Sequence, residues 1–486
     1  METEPLIDQK RPHVVFIPFP AQSHIKCMLK LAKLLHYKGI HITFINTKSN
    51  HARLVKSGGI HDIDVVPGFR FKTVQDSPTC DAEDDGVEHT PTNLFELMTY
   101  LKENFYDSFL DLISSLETPV TCIICDGFMT FTNSIQAAEK LEVPIFLFWT
   151  MAACGFMGFY QSKVLVEKGL VPLKDESYLT NGYLEMEIDW IPGMEGIRLK
   201  DLPEFIRATS PNDIAFTFLL EVAQKADNVS RMIFHTFEDL EASLIEEIRS
   251  VFPNVYNVGP LQLLLNQKQE SKSSEFSGYS LRHEEPECVQ WLESKEPNSV
   301  VYVNFGSIAV MSLQDLVELG WGLVNSKYEF LWIIRNDLVD GKPSVLPKEL
   351  EDVINEKGFV GSWCTQEEVL NHRSIGGFLT HGGWGSIIES LSAGVPMICC
   401  PFLGDQLTNC RQMCKKWEIG MEIGKNMKRD EVEKLVRMLM EGEEGKIMSN
   451  KALEWKMMAE MATGSCGSSS LDIEKLVDEI TNLPKT

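Results

Sequence analysis

Apolar runs and amphipathic stretches alternate along the first third of the chain. Residues 13–18 (HVVFIP), 40–46 (IHITFIN) and 120–125 (VTCIIC) are short, continuous apolar runs, which predict buried strands. Residues 25–36 place apolar side chains at the i, i+3, i+4 and i+7 spacing of one helix face, and 132–141 predict a further helix. This order of strands and helices predicts a parallel sheet that is covered on both faces.

The same alternation returns in the last third of the chain. The predicted strands are 299–304, 330–334, 358–363, 376–380 and 396–400. The predicted helices are 312–324, 367–372, 386–393, 408–417 and 429–441. We therefore predict an α/β protein with two doubly wound, Rossmann-like domains that face a central cleft.

A shift in composition separates the two halves. Residues 266–285 are polar, Ser-rich and nearly devoid of apolar side chains, which is typical of a linker or surface loop. We predict an N-terminal domain over 1–257, a linker and surface loop over 258–285, and a C-terminal domain over 286–463. Residues 464–470 (GSCGSSS) predict a flexible joint before an amphipathic helix at 471–480. We expect the segment 464–486 to pack back toward the N-terminal domain.

One uncharged stretch, residues 143–160 (VPIFLFWTMAACGFMGFY), is long enough to touch the lower limit of a membrane span. The alternative is a buried strand that runs through Thr150 into a buried helix. We favour the strand and helix, because Pro144 and Gly155 interrupt the run and no basic residues flank it.

Charge and cysteine content narrow the functional class. The 486 residues include 70 acidic and 45 basic side chains, a formal charge of −25, which disfavours binding to nucleic acid or to an anionic membrane. The 12 cysteines form no paired CxxC blocks, so a zinc site is not expected and a reducing cytoplasm fits best. The first residues, METEPLIDQKRP, resemble neither a signal peptide nor a transit peptide.

Two candidate catalytic residues follow predicted strands in the N-terminal half. His24 lies at the opening of the first helix and Asp126 ends the strand TCIICD, and ligands bind at this edge of open α/β sheets. An imidazole there can accept a proton from a hydroxyl, and a carboxylate can orient the imidazole and stabilise its charged form. The alternatives are a polar helix cap for His24 and a turn or N-cap aspartate for Asp126.

A glycine-rich turn, Thr380 to Ser386 (THGGWGS), joins a predicted strand to a predicted helix. The N–H groups and positive dipole at a helix start favour a phosphate, and His381 and Ser386 can add donors. Glu389 returns to the same helix end, where it can accept from ribose hydroxyls or serve as a capping-box residue. The turn matches neither G-x-G-x-x-G nor a Walker motif.

Two further pairs follow strands of the C-terminal half. Trp363 offers a flat face for a nucleobase, although a core Trp is the commoner use. Asp405 and Gln406 combine a carboxylate and an amide, which suit bidentate hydrogen bonding to sugar hydroxyls, and the alternative is an N-cap for the next helix.

Together these features resemble one family. Residues 363–406 (WCTQEEVLNHRSIGGFLTHGGWGSIIESLSAGVPMICCPFLGDQ) closely resemble the 44-residue signature box of plant family-1 UDP-glycosyltransferases. The resemblance extends to FIPFPAQSHI near the start, CDGF at Asp126, FGS at Ser307 and the short C-terminal helix. It implies a GT-B fold, with the acceptor mostly in the N-terminal domain and the UDP-sugar mostly in the C-terminal domain.

The resemblance also implies residue roles. His24 would be the general base on the acceptor hydroxyl, with Asp126 as its partner. Trp363 would stack on uracil, with Cys364 and Gln366 close to the base and ribose. The remaining UDP-sugar contacts that it implies are His381, Ser386 and Ser307 at the phosphates, Trp384 lining the turn, Glu389 at the ribose, and Asp405, Gln406 and Thr150 facing the sugar. The final Gln of the box goes with UDP-glucose in most relatives, and neither a metal nor another cofactor is implied.

The chain departs from the family pattern at four positions. The usual H-C-G-W-N-S reads HGGWGS, with Gly382 for Cys and Gly385 for Asn, so one side-chain donor to the UDP-sugar is missing. The backbone N–H of Gly385 can still point at a phosphate, so we expect the contact between this position and the UDP-sugar to be weaker or altered. Ser23 replaces the commoner Gly before the His, and Thr365 replaces Pro or Ser.

Several segments, among them PAQSHIKCMLKLAKLLH and WTMAACGFMGFY, resemble the steviol 13-O-glucosyltransferase type. This resemblance implies a small apolar hydroxylated acceptor such as a diterpenoid alcohol. Iridoid, monoterpenol and cyanohydrin acceptors remain open, as does a protein that binds a UDP-sugar without turnover. Phe156, Met157 and Phe159 are candidates to line the acceptor pocket, and the alternative is ordinary core. We expect a monomer.

Overall fold

The computed structural model describes residues 11–58, 66–77, 91–269, 280–339 and 344–483. Two parallel sheets form its centre. The first has seven strands and the second has six. Each sheet is doubly wound, since the strand order reverses direction beside its first strand.

The strands of the first sheet are β1 (His13–Ile17), β2 (His41–Thr47), β3 (Phe69–Val74), β4 (Cys122–Asp126), β5 (Ile145–Trp149), β8 (Arg231–Phe234) and β9 (Asn254–Asn257). A small antiparallel pair, β6 (Glu187–Ile188) and β7 (Ile197–Arg198), lies outside both main sheets. The second sheet contains β10 (Val300–Asn304), β11 (Glu329–Ile333), β12 (Gly358–Gly361), β13 (Ile375–Thr380), β14 (Met397–Cys399) and β15 (Gly420–Glu422). The strand order is β3-β2-β1-β4-β5-β8-β9 in the first sheet and β12-β11-β10-β13-β14-β15 in the second.

Helices cover both sheets. Those up to the second sheet are α1 (Gln22–Tyr37), α2 (Lys48–Lys56), α3 (Pro91–Ser114), α4 (Ser134–Lys140), α5 (Ala153–Tyr160), α6 (Ser162–Glu167), α7 (Ile214–Ala226), α8 (Glu238–Val251), α9 (Leu261–Gln269) and α10 (Glu287–Leu292). The later ones are α11 (Leu313–Ser326), α12 (Lys348–Lys357), α13 (Gln366–Asn371), α14 (Trp384–Ala393), α15 (Gln406–Lys415), α16 (Arg429–Glu441), α17 (Glu443–Thr463) and α18 (Ser468–Asn482).

The uncharged stretch at 143–160 is a strand followed by a helix. Its residues form β5 and α5, and the side chains of both elements are almost wholly buried. The turn between them brings Thr150 to the carboxyl edge of the sheet. In the part of the chain that the structure describes, no helix combines the length and the apolar character needed to cross a membrane.

Part of the segment predicted as linker is helical. Leu261, Leu264 and Leu265 of α9 are buried in the same core as α1, and that burial gives the helix its stability. The prediction of a loop from residue 266 was therefore wrong for residues 266–269. Residues 270–279 of that loop lie outside the described residues.

The last helix packs on the first sheet. Ile473, Leu476 and Ile480 of α18 are buried with the apolar face of α1. Asp472 accepts a hydrogen bond from the backbone N–H of Asn257 at 2.9 Å, and the Ser469 hydroxyl donates to the Gly259 carbonyl at 2.6 Å. The helix begins at Ser468, so the residues predicted as a flexible joint are partly helical.

Candidate active site

The carboxyl ends of the two sheets face one cleft. In the first sheet, β1, β4 and β5 deliver His24, Asp126 and Thr150 to this edge. In the second, the turns after β10 and β13 carry Ser307 and His381. A cavity of about 310 Å³ between the halves is lined by residues from both, including Gln22, Arg282, Ser307, Arg335 and Trp363. The structure thus brings together residues that are separated by hundreds of positions.

His24 and Asp126 form a hydrogen-bonded pair. Nδ1 of His24 lies 2.7 Å from Oδ2 of Asp126, whose side chain is fully buried, while the His24 side chain is 18% exposed. The other carboxylate oxygen accepts the backbone N–H of Phe128 at 3.0 Å, which caps a short 3₁₀ helix. Asp126 therefore caps the turn with one oxygen and contacts the His24 imidazole with the other. With Nδ1 engaged, Nε2 is the nitrogen available to an acceptor hydroxyl.

Thr150 joins this pair. Its Oγ1 lies 2.8 Å from Nδ1 of His24 and donates to Oδ2 of Asp126 at 3.5 Å. Glu241 fixes the turn that follows, because it accepts the backbone N–H groups of Ala153 and Cys154 at 2.8 Å each. The prediction placed Thr150 against the sugar, and the structure places its hydroxyl against the catalytic candidates. Glu241 belongs to no motif in the sequence, so its hydrogen bonds to this turn became visible only in the structure.

Aromatic rings surround the His24 imidazole. The ring centroids of Phe19 and Phe128 lie 5.0 and 5.5 Å from that of His24, and Phe218 stacks on Phe128. This apolar wall suits an apolar acceptor beside the imidazole. The position of Phe19 and Phe128 directly after strand ends was a sequence signal that the predictions did not use.

Of the predicted acceptor-lining residues, Phe156 is core. It is buried among Trp149, Phe234 and Phe252, with its centroid 4.7 Å from that of Trp149, so the prediction that it lines a pocket was wrong. Met157 is also buried. Phe159 is buried but packs on Phe128 at 5.2 Å, one layer behind the wall around His24.

The glycine-rich turn is shaped by what packs against it. Gly383 is the N-cap of α14, so the first backbone N–H groups of that helix point out of its start. Gly382 has φ +79°, and an added Cβ would lie 2.5 Å from Sγ of Cys399. The residue that replaces the family's usual Cys therefore fits a tight, left-handed position. At Gly385 an added Cβ meets nothing within 4 Å, so this position has room for a side chain.

His381 fills the space between two glycines. An added Cβ on Gly306 would lie 2.5 Å from Cε1 of His381, and one on Gly383 would lie 2.4 Å from Nε2. Burial and, to a smaller extent, the charge of Arg335 lower the pKa of His381 to about 4, against the opposing effect of a hydrogen bond to the Asn304 backbone. The imidazole is therefore neutral near pH 7 and can offer an N–H to a phosphate without adding positive charge.

Gln366, Ser386 and Glu389 form one hydrogen-bonded cluster. Nε2 of Gln366 donates to Oγ of Ser386 at 3.1 Å and to Oε2 of Glu389 at 2.8 Å. Its Oε1 accepts from Nδ2 of Asn304 at 3.0 Å and from the Tyr302 hydroxyl at 3.3 Å. Three predicted donor-site residues therefore lie together, and Asn304 and Tyr302 are contacts that the predictions missed.

Trp363 and Cys364 lie beside this cluster. Cys364 is buried, with Sγ 3.2 Å from the Tyr302 hydroxyl. The guanidinium of Arg282 lies 5.2 Å from the centre of the Trp363 ring. Arg335 donates to the carbonyl of Ser307 at 2.7 Å and fixes the turn after β10. These contacts orient the side chains on one wall of the cavity.

Asp405 and Gln406 occupy the turn before α15. Oδ2 of Asp405 accepts from Nδ2 of Asn409 at 2.9 Å and would lie 3.1 Å from a Cβ added to Gly155. Burial raises the pKa of the Asp405 carboxyl, whereas Asn409 and the nearby His24 act in the opposite direction. Oε1 of Gln406 accepts the N–H groups of Phe402 and Leu403 at 2.8 and 3.1 Å. The amide of Gln406 is thus oriented by its own turn.

Trp384 points away from the turn that it was predicted to line. Its side chain is 4% exposed, and Nε1 donates to the carbonyl of His235 at 2.7 Å. Its ring packs 5.8 Å from that of Trp417. The indole therefore packs between the halves of the molecule, so the lining of the turn predicted for Trp384 falls to its backbone at the start of α14.

No group of three or more His, Cys, Asp or Glu side chains with the geometry of a metal site occurs among the described residues.

The fold defines the class of protein. The chain superposes on a UDP-glucose:anthocyanidin 3-O-glucosyltransferase in complex with UDP with a TM-score of 0.80 and 26% identity, covering 98% of this chain and 100% of that one. This likeness confirms the predicted GT-B fold, a fold of glycosyltransferases.

Sequence comparison gives the family. The model of the UDP-glucoronosyl and UDP-glucosyl transferases matches residues 213–453. UDP-glycosyltransferase 85C1 from Stevia rebaudiana is 70% identical over 99% of each chain. 7-deoxyloganetin glucosyltransferase from Catharanthus roseus is 50% identical over 98% of each, and (R)-mandelonitrile beta-glucosyltransferase from Prunus dulcis is 48% identical over 99% of each. The chain belongs to the UDP-glycosyltransferase family, as predicted.

Replacing Gly306 by alanine tests the position of His381. The backbone at Gly306 has φ +68°, and the added Cβ would meet the imidazole, so the ring must move. We expect UDP binding to weaken by about tenfold, equivalent to about 1.4 kcal/mol, as measured by isothermal titration calorimetry.

Gly424→Ala is the matched control, because an added Cβ there meets nothing within 4 Å. Unchanged UDP affinity in a folded Gly306→Ala protein would show that the placement of His381 does not matter for the nucleotide.

Proposed function

We propose that this protein is an inverting glucosyltransferase that moves glucose from UDP-glucose to a hydroxyl of a small apolar plant metabolite. The observation that carries this proposal is the contact of 2.7 Å between His24 and the fully buried Asp126, at the cleft edge. A buried carboxylate on Nδ1 leaves Nε2 as the base and stabilises the imidazolium that forms.

The reaction is a single displacement. Nε2 of His24 takes the proton of the acceptor hydroxyl while that oxygen attacks the anomeric carbon. The bond between the anomeric carbon and the phosphate oxygen breaks, and UDP leaves with the electron pair. Asp126 offsets the positive charge on His24, and the Thr150 hydroxyl, 2.8 Å from Nδ1, helps to keep the ring oriented.

The second sheet supplies the donor site. Uracil stacks on Trp363 beside Cys364, and the ribose hydroxyls reach Gln366 and Glu389. The phosphates lie at the start of α14, where backbone N–H groups, Ser386 and the neutral His381 offset the charge of the leaving group, with Ser307 nearby. Asp405 and Gln406 face the glucose. No metal is needed for this step.

A terpenoid alcohol such as steviol is the acceptor that we favour. The ring wall of Phe19 and Phe128 beside His24 suits an apolar molecule with one reactive hydroxyl. Support also comes from the segments that resemble the steviol glucosyltransferase type. The 7-deoxyloganetin and mandelonitrile glucosyltransferases keep iridoid and cyanohydrin acceptors as alternatives. We further propose a cytoplasmic monomer.

His24→Ala separates catalysis from donor binding. We expect transfer to fall by about 10²- to 10⁴-fold, the usual contribution of a general base, with UDP affinity nearly unchanged. Turnover is followed as UDP release with UDP-glucose and a panel of steviol-like, iridoid and cyanohydrin acceptors, and mass spectrometry identifies the products.

His36→Ala is the control on the same helix, about 18 Å further along its axis. Full turnover in His24→Ala would remove His24 as the base. If the native protein binds UDP but turns over no acceptor, it is a UDP-sugar-binding protein instead.

Gly385→Asn restores the residue that the family usually has. Because the position has room for a side chain, we expect the variant to fold and to lower the KM for UDP-glucose by about threefold to tenfold, the effect of one added hydrogen bond. Steady-state kinetics with varied donor measure it, and a donor KM that does not move places residue 385 away from the phosphates.

A further inference from the structure

Four charged side chains meet across the cleft between the two halves. Nζ of Lys26 lies 2.7 Å from Oε1 of both Glu367 and Glu389. Nζ of Lys30 lies 2.5 Å from the same Glu367 oxygen and 3.8 Å from that of Glu389. Lys30 and Glu389 are 3% and 6% exposed, so much of this cluster is shielded from water. Two cations and two anions balance its charge.

The two halves contribute opposite charges. Lys26 and Lys30 are four residues apart on α1, so they project from one face of the helix that also carries His24. Glu367 lies in the first turn of α13 and Glu389 lies on α14. Since a helix is a rigid element, the cluster links the donor-side helices directly to the helix that holds the imidazole.

The charges of the cluster reinforce one another. Burial opposes the charge on Lys26, but the Glu367 and Glu389 carboxylates outweigh it and raise the pKa of Lys26. Burial likewise opposes the charge on Glu367, and Lys26 and Lys30 lower the pKa of Glu367 against it. Removal of one lysine charge leaves a buried carboxylate whose negative charge is only partly offset, and the position of that carboxylate then changes.

One carboxylate oxygen of Glu389, a predicted contact to the ribose of the UDP-sugar, is held by the cluster. Oε1 of Glu389 accepts from Lys26, while Oε2 accepts from Gln366. Both oxygens are therefore fixed, from opposite sides and from opposite halves of the molecule. A carboxylate has about four lone-pair sites, so each oxygen retains capacity for a ribose hydroxyl.

We propose that Lys26 is a positioning residue for the donor, which orients the Glu389 carboxylate across the cleft, and that Lys30 supports it by holding Glu367. The inference rests on the proposed function, since it takes Glu389 as the ribose contact. An ordinary interface ion pair would contribute to stability without such selectivity for one substrate.

Lys26→Met tests this role. We expect the KM for UDP-glucose and the Kd for UDP to rise by about tenfold, with kcat and the acceptor KM changed less than about twofold. Lys26→Arg, which keeps the charge, should recover part of the affinity. If Lys26→Met does not fold, Lys26→Gln has a shorter polar side chain and is expected to shift the donor KM in the same direction.

Lys38→Met is the matched control, because Lys38 lies at the end of the same helix and pairs with Glu474 of α18. Its donor KM should equal that of the native protein. A folded Lys26→Met or Lys26→Gln protein with native donor KM, or with equal changes for both substrates, would overturn the proposal.

Glu389→Gln distinguishes this inference from the proposed function. Weaker UDP binding in Glu389→Gln, together with a Lys26→Met, Glu389→Gln double variant that loses no more affinity than the single variants, supports positioning through Glu389. Native UDP binding in Glu389→Gln would remove the ribose contact itself. Weak binding in Glu389→Gln with additive losses in the double variant would leave that contact in place and refute the role of Lys26.

Discussion

The hydrogen bond between His24 and the buried Asp126 carboxylate is the interaction on which the site depends. A carboxylate that is removed from water requires compensating hydrogen bonds, and here they come from the Nδ1 of His24 and the backbone of Phe128. The Phe128 N–H is a local partner two residues further on, whereas the contact with His24 arises because β1 and β4 are neighbours in a parallel sheet, which brings the ends of both strands to one edge. The sheet order therefore sets the geometry of the proposed base, His24.

The opposite wall is organised by packing as much as by hydrogen bonds. The imidazole of His381 occupies the space that a side chain on Gly306 or Gly383 would fill, and its neutral form follows from burial. Gln366 donates hydrogen bonds to both Ser386 and Glu389, and Lys26 of the first domain forms an ion pair with Glu389. These side-chain contacts connect the side of the cleft that carries Gln366, Ser386 and Glu389 directly to α1.

The ends of the predicted strands and the long motif at 363–406 made much of the fold and of the candidate site predictable from the sequence. Apolar runs located most strands of both sheets to within two residues, and the motif at 363–406 brought the donor-side residues together. Side-chain direction was not predictable in the same way. Trp384 belongs to the motif but turns toward His235, and Phe156 turns into the core, because packing across the domain interface decides both. Lys26 and Glu367 lie 341 residues apart in sequence, and no local pattern pairs them.

The anomeric configuration of the product tests the central claim most directly. In the proposed reaction, a base on one wall of the cleft and a leaving UDP on the other require attack from the face opposite the departing phosphate. The proton NMR spectrum of the product formed from α-configured UDP-glucose should therefore show a β-glucoside. A product that retains the α configuration would contradict a single displacement assisted by His24 and Asp126.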